Sequence, residues 1–370
     1  MRTTDSTAPS SATRRSRVVI LLALLGLPLA CTSGQNAGEA LPGVVVTELQ
    51  SGVRASLRGL HVVSASVAFV SGTGGTLLRT TDAGRSWQPL VIAGAQRLDF
   101  RSVAARTSTA IVVASAGRPA RVYRSLDGER FDLVHEDEHE GAFFDSVALG
   151  VDEDLWLFGD PQDGAFVLRR GLRFGTTFVD HGHRLPTPRP GEAGFAASNA
   201  CLEVDAAGAA LIVTTGATAA PRFLRYDPEA PIAARVLATD LPLAHGKASR
   251  GAFAVARDET AIVVVGGDYQ APDAREGCGA YSHDGGKSFT VARGLRGYRS
   301  GVSAVPGRPG TFVAIGPLGA EISQDGGRTF VPLPELRGNA VTFAGAGIGY
   351  ACGSDGRVYR VLLPAGDAAD

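Results

Sequence analysis

The chain has 370 residues, of which 44% are hydrophobic and 20% charged, a balance that excludes an intrinsically disordered protein. Its 36 basic and 37 acidic residues leave a net charge of −1, so no overall basic field exists to draw in nucleic acid or an anionic membrane. Abundant glycine (48) and proline (20) with a single methionine indicate a turn-rich globular fold, long enough to bury a large core.

Arg14, Arg15 and Arg17 precede an apolar run, Val18 to Ala30, that is too short to cross a bilayer and fits the core of an export signal. The run ends in Leu27-Pro28-Leu29-Ala30-Cys31, which resembles a bacterial lipobox in which Cys31 would be lipidated. Pro28 departs from that pattern, and plain secretion with cleavage nearby is the alternative. Residues 1–30 are therefore expected to be a signal peptide and 31–42 a flexible tether. The expected location is the cell envelope on the periplasmic side, anchored in a membrane by lipid, or else secreted. Cys201, Cys278 and Cys352 remain, an odd number, so at least one should be free or paired between chains. None has metal-ligand spacing.

A repeat then organises the chain. Thr80-Thr81-Asp82-Ala83-Gly84-Arg85-Ser86-Trp87 returns as Ser125-Leu126-Asp127-Gly128-Glu129-Arg130-Phe131. It returns again as Ser282-His283-Asp284-Gly285-Gly286-Lys287-Ser288-Phe289 and as Ser323-Gln324-Asp325-Gly326-Gly327-Arg328-Thr329-Phe330. The aspartate can accept backbone N–H groups across a tight turn, the glycine supplies positive φ, and the aromatic opens the next strand. Each copy predicts a hairpin, with Asp82, Asp127, Asp284 and Asp325 in structural roles. Asp82 and Asp127 are 45 residues apart, and Asp284 and Asp325 are 41 apart, the size of a four-stranded propeller blade. Arg170 to Phe174 and Arg225 to Pro228 read as decayed copies.

Apolar strands precede each hairpin: Leu60–Val63, Val103–Ala105, Val147–Leu149, Phe253–Ala256 and Val302–Val305. Second strands follow and mostly end in glycine: Ala68–Gly72, Ile111–Ser115, Leu155–Gly159, Ile262–Gly266 and Phe312–Gly316. The last unit supplies only three strands, so the orphan strand Val44–Glu48 is expected to complete it and remove an exposed sheet edge. The prediction is an all-β, seven-bladed β-propeller over residues 43–363, with a tail at 364–370. Six or eight blades also fit, because two repeats are degraded.

In such a blade the Asp turns join strands C and D and mark one face. The opposite mouth of the channel is the candidate site. Links before strand A carry Arg58, Arg101, Asp145, Glu192, Arg250, Arg299 and Asn339. Loops between strands B and C add Asp160, Asp163, Asp268, Tyr269 and Asp355, while Ser198 and Tyr298 stand in neighbouring unusual strings. Arginines and carboxylates converging on one rim point to recognition of a protein or polar ligand. Mutual pairing that orders the inter-blade links is the alternative. His181 and His183 flank Gly182 and read as loop surface. No dinucleotide, haem or metal motif occurs, and no cofactor is expected.

The Asp turns, with the string Ser71-Gly72-Thr73-Gly74-Gly75-Thr76-Leu77-Leu78-Arg79-Thr80-Thr81-Asp82, resemble the Asp-box (BNR) repeat. Across roughly residues 43–363 the chain is similar to the photosystem II assembly-factor propellers of the Ycf48/Hcf136 type and to YVTN/BNR-like repeat proteins. That resemblance implies a non-catalytic assembly or binding propeller; nothing in the sequence points to photosynthesis itself. Sialidases share the Asp box, and their chemistry would need an arginine triad, which Arg101, Arg250 and Arg299 could supply, with Tyr298 or Tyr269, Glu192 and Asp145 nearby. Their Arg-Ile-Pro signature is absent; Arg58-Gly59-Leu60 stands in its place. The resemblance therefore implies binding first, with a sialidase-like glycoside hydrolase as the alternative.

Overall fold

A computed structural model describes residues 42–345 and 347–364. The expected signal peptide, Cys31, nearly all of the tether, and the tail from 365 lie outside the described residues.

Seven four-stranded antiparallel sheets follow one another along the chain, and together they form a seven-bladed β-propeller. Blade 1 is Leu57–Val62, Ala68–Gly72, Thr76–Thr80 and Gln88–Pro89. Blade 2 is Asp99–Ala105, Ile111–Ala116, Ala120–Ser125 and Asp132–Asp137. Blade 3 is Phe144–Leu149, Leu155–Gln162, Ala165–Gly171 and Thr177–Asp180. Blade 4 is Leu202–Val204, Ala210–Val213, Arg222–Tyr226 and Val236–Asp240. Blade 5 is Arg250–Arg257, Ile262–Asp268, Gly279–Ser282 and Thr290–Val291. Blade 6 is Gly301–Ala304, Phe312–Gly316, Gly319–Ser323 and Val331–Leu333. Blade 7 is Ala340–Ala344, Ile348–Cys352 and Val358–Leu362, with Val45–Leu49 paired to the last of these as its fourth strand. Each strand A touches the next, and strand A of blade 7 touches strand A of blade 1, so the ring closes.

The B strands of blades 1, 5 and 6 are buried throughout, which is why they read as continuous apolar runs. The hydrophobic effect acts mainly between blades. One cluster joins Phe69 and Leu77 to Phe100 and Val113, another joins Val313 and Ile315 to Val341 and Val361, and further clusters join the other neighbouring blades. The glycine that ends strand B has a steric cause. A Cβ on Gly72 would lie 2.3 Å from Ser56 O, and one on Gly316 would lie 2.3 Å from Tyr298 O. The link entering strand A passes too close for any side chain there.

The four Asp turns all lie at C–D corners. In blade 5, Asp284 Oδ1 accepts from Ser288 N at 3.0 Å and Asp284 Oδ2 from Ser288 Oγ at 2.6 Å. Ser282 Oγ accepts from Gly286 N at 2.9 Å. Asp82 and Asp325 repeat this pattern with Ser86 and Thr329. Asp127 lacks the closing hydroxyl and accepts from Glu129 N and Arg130 N instead. Gly286, at φ 87°, also lies where a Cβ would be 2.3 Å from the Phe223 ring of blade 4. Phe289 packs on that same ring at 5.2 Å, so this turn also fastens its blade to the preceding one.

The decayed copies are corners too. At the blade 3 corner, Asp154 replaces the lost aspartate, accepting from Arg173 N at 3.1 Å and Arg170 Nε at 2.7 Å. There Arg173 and Phe174 are left-handed, and the segment Leu172–Gly175 is a tight turn. At the blade 4 corner Asp227 accepts from Glu229 N and Ala230 N. His181 differs from its expected place on a loop surface. It is buried, bonded through Nδ1 to Tyr226 Oη at 2.8 Å, and edge-on to Trp156. Burial pushes its imidazole down to about 4, as expected for a ring enclosed by aromatic neighbours.

Candidate functional site at the channel mouth

Strand A enters each blade at the mouth, and in four blades it does so through a β-bulge. The register shifts fall between Leu57 and Gly59, Phe100 and Ser102, Phe144 and Ser146, and Ala252 and Ala254. The extra residues are Arg58, Arg101, Asp145 and Phe253. A bulge re-aims its side chain, so these four positions are equivalent, although the sequence gives no direct sign of it.

Three of the expected rim residues are already taken up by the fold. Arg299 is 1% exposed and lies against Glu321, with Nε on Oε2 at 2.5 Å, a second contact from Nη2 to Oε1, and Nη1 on Tyr298 O at 2.8 Å. Glu192 is buried and takes Arg222 Nε at 2.8 Å, Arg222 Nη2 at 2.6 Å and Thr214 Oγ1 at 2.6 Å. Asn339 is buried and donates to Leu57 O at 2.8 Å. Arg250 and Asp268 pair at 2.9 Å and line a cavity of about 730 Å³ with His245, Arg275 and Glu276. Arg101, Arg250 and Arg299 thus each have their own carboxylate, in Asp99, Asp268 and Glu321. They share no focus, and the arginine triad that a sialidase reading requires is not formed.

A different group does converge. Arg101 Nε meets Asp99 at 2.6 Å and its Nη1 donates to Ala196 O at 3.1 Å. Arg58 is half-buried and makes no hydrogen bond or ion pair among the described residues; its Nε is buried without an acceptor. Burial, and then the neighbouring Arg101, lower its pKa. Asp145 is fully buried, and no N–H group reaches either of its oxygens; the group within hydrogen-bonding reach is the Asp160 carboxyl. Burial, and then the adjacent Asp160 carboxyl, raise its pKa well above the usual carboxylate range, while burial raises that of Asp160 as well. Ser198 Oγ is also buried without a partner.

Beside these charges lies an aromatic cluster. Phe195 stacks on Phe253 at 3.6 Å, and Tyr298 meets Phe253 edge-on at 4.6 Å. Tyr269 stands edge-on to both phenylalanines and is 48% exposed. Burial pushes the Tyr298 phenol well up. Asp99 and Thr215 are absent from the expected rim, and Phe253 is expected there only as the start of a strand, because a bulge position and a loop contact leave no periodic trace. The three remaining cysteines are all unpaired and buried. Burial pushes the Cys278 thiol up to about 11 and the Cys352 thiol up to about 12, so neither is a ready nucleophile. Among the described residues, no group of three or more His, Cys, Asp or Glu could hold a metal ion, and no helix is long and apolar enough to cross a membrane.

No protein-family model and no curated protein matches the chain. Solved structures do. The fold is shared with YCF48 propellers. A structure described as YCF48 bound to D1 peptide is 14% identical, with a TM-score of 0.61 over 88% of this chain and 99% of that one. YCF48 from Cyanidioschyzon merolae is 15% identical, with a TM-score of 0.60 over 86% and 98%. The Neurospora crassa Pan2 WD40 domain is 11% identical, with a TM-score of 0.56 over 84% and 90%. At these identities the likeness concerns the fold alone.

Proposed function

We propose that this protein is a non-catalytic binding or assembly propeller of the cell envelope. It is exported, held at a membrane through Cys31, and recognises a protein partner at the channel mouth opposite its Asp-box turns. The observation that carries this reading is Arg58. A half-buried guanidinium that makes no direct ion pair, with its Nε buried without an acceptor, a second guanidinium beside it and only the Asp99 field to offset that charge, is costly unless a further anion completes it. An acidic group on a partner supplies that anion, and the exposed Tyr269 ring adds an apolar contact of the kind that anchors protein interfaces. The similar YCF48 propeller, solved bound to D1 peptide, agrees with a protein ligand for this kind of ring.

The test is capture. Full-length protein is immobilised, challenged with a detergent-solubilised envelope extract, and the retained partner is measured against Arg58→Ala. Removing one member of a desolvated charge pair costs about 2–5 kcal/mol, a loss of at least about thirtyfold in affinity. A partner retained equally by Arg58→Ala, or no partner at all, defeats the reading.

A further inference from the structure

The link 181–201 between blades 3 and 4 is the longest in the ring. Its stretch 193–199 has no regular structure and lies in the mouth. Side chains and backbone from three blades read its main chain. Thr215 of blade 4 donates N–H to Ala193 O at 2.9 Å, and its Oγ1 accepts from Ala193 N at 3.0 Å. Asp160 of blade 3 accepts from Gly194 N at 3.0 Å. Arg101 of blade 2 donates to Ala196 O at 3.1 Å. Between these contacts the Phe195 ring lies nearly parallel to Phe253, at 3.6 Å and 7°, with Tyr269 edge-on beside it. Gly194 is pressed against Asp145, where a Cβ would stand 2.3 Å from Oδ2. Beyond it, Asn199 is fixed to blade 2, accepting from Val103 N at 3.0 Å and donating to Val103 O at 3.2 Å.

Fixed side chains that satisfy a main chain, an aromatic slot and a position open only to glycine are the means by which a groove holds a peptide. We propose that 193–197 is an internal stand-in for the partner. The partner then inserts an extended segment in which an aromatic residue is flanked by small ones, and it binds by displacing this link. The inference rests on the binding function proposed above and adds the chemistry of the recognised segment. The link gives Arg58 no acceptor, so the competing segment also carries an acidic group where the link has none. Held in the same chain, the stand-in competes at an effective concentration in the millimolar range, so an external peptide of equal quality binds the intact protein weakly.

The test uses full-length protein and a fluorescein-labelled synthetic peptide, acetyl-Ala-Gly-Phe-Ala-Ala-Ser-amide, which copies 193–198. In Gly194→Ala the new Cβ strikes Asp145 and expels the link, and in Phe195→Ala the slot is vacated. Each variant is first checked for cooperative thermal unfolding; Phe195→Leu replaces either one that does not fold. The expected result is at least tenfold tighter peptide binding to the folded variants than to wild type, abolished when the peptide's phenylalanine becomes alanine. Folded variants that bind the peptide no better than wild type overturn the inference. That failure is distinct from failure of the binding function, which is decided by capture with Arg58→Ala.

Discussion

The two faces of the ring use the same residue types to opposite ends. At the C–D corners every aspartate is satisfied: Asp284 accepts from both the backbone and the side chain of Ser288, and Asp325 does the same with Thr329. At the mouth, among the described residues, Asp145 has no N–H donor and only the Asp160 carboxyl beside it, and Arg58 has no acceptor. Satisfied polar groups rigidify a fold, and an unsatisfied buried one calls for an explanation, which at the mouth a bound anion or donor would supply. The contrast teaches that a charged residue near a propeller mouth is informative only after its partner is known. Arg299 and Arg58 look alike in sequence; one is locked to Glu321 and the other is open.

The largest expected effect tests that distinction. Arg299→Ala strands the buried Glu321 carboxylate and lowers stability by about 3–5 kcal/mol in urea denaturation, whereas the double change Arg299→Met, Glu321→Leu restores most of it. A small loss in the single variant places Arg299 with the open rim residues. Asp325→Ala is next, removing hydrogen bonds from a partly buried turn. It lowers stability by about 1–2 kcal/mol and leaves partner capture unchanged. Loss of capture there would break the division between the faces.

The faces also differ in the sign of their pH dependence. The Ser86 hydroxyl and N–H hold the Asp82 carboxyl down to about 2, and the backbone N–H groups of Arg130 and Glu129 lower that of Asp127. A lowered folded pKa contributes stability above the unfolded value of about 3.9, and that stability is lost as pH falls through the folded value. Asp145 and Asp160 are raised, so the native state binds the extra protons. Their contribution is complete below about 3.9 and is lost as pH rises through the folded values. Asp145→Asn therefore raises the thermal midpoint at pH 7 and has little effect at pH 3, read by calorimetry. A lower midpoint at pH 7 would show Asp145 to be a charged, stabilising group. The smallest effect is expected from Tyr269→Ala, which loses an exposed ring. Partner affinity falls roughly tenfold with no change in midpoint.

The sequence made the ring legible because each blade repeats its own local physics. Positive φ at Gly286, the carbonyl pressed against Gly72 and the buried run of Ile262–Asp268 each leave a residue-level mark. Even Asp154, which holds the corner that lost its aspartate, lies one hairpin away in the same blade. The mouth was legible only as a set of residue types. Whether Arg299 or Arg58 is paired depends on Glu321, or on its absence, and no spacing encodes that. The bulge that aligns Arg58, Arg101, Asp145 and Phe253 shifts register by one residue, and strands largely buried on both faces have no alternation in which that shift would show. The crossing link 193–199 lacks periodicity altogether.

Hydrogen exchange on full-length protein, alone and with its captured partner, reads both faces of the ring at once. With partner bound, exchange is expected to be faster at Ala193 and Gly194, as the link is displaced, and slower in 266–270 beside Tyr269. Amides bonded to the corner aspartates, such as those of Ser86, Ser288 and Thr329, should not change. Partner-dependent protection at those corner amides, with the mouth untouched, would contradict recognition at the mouth.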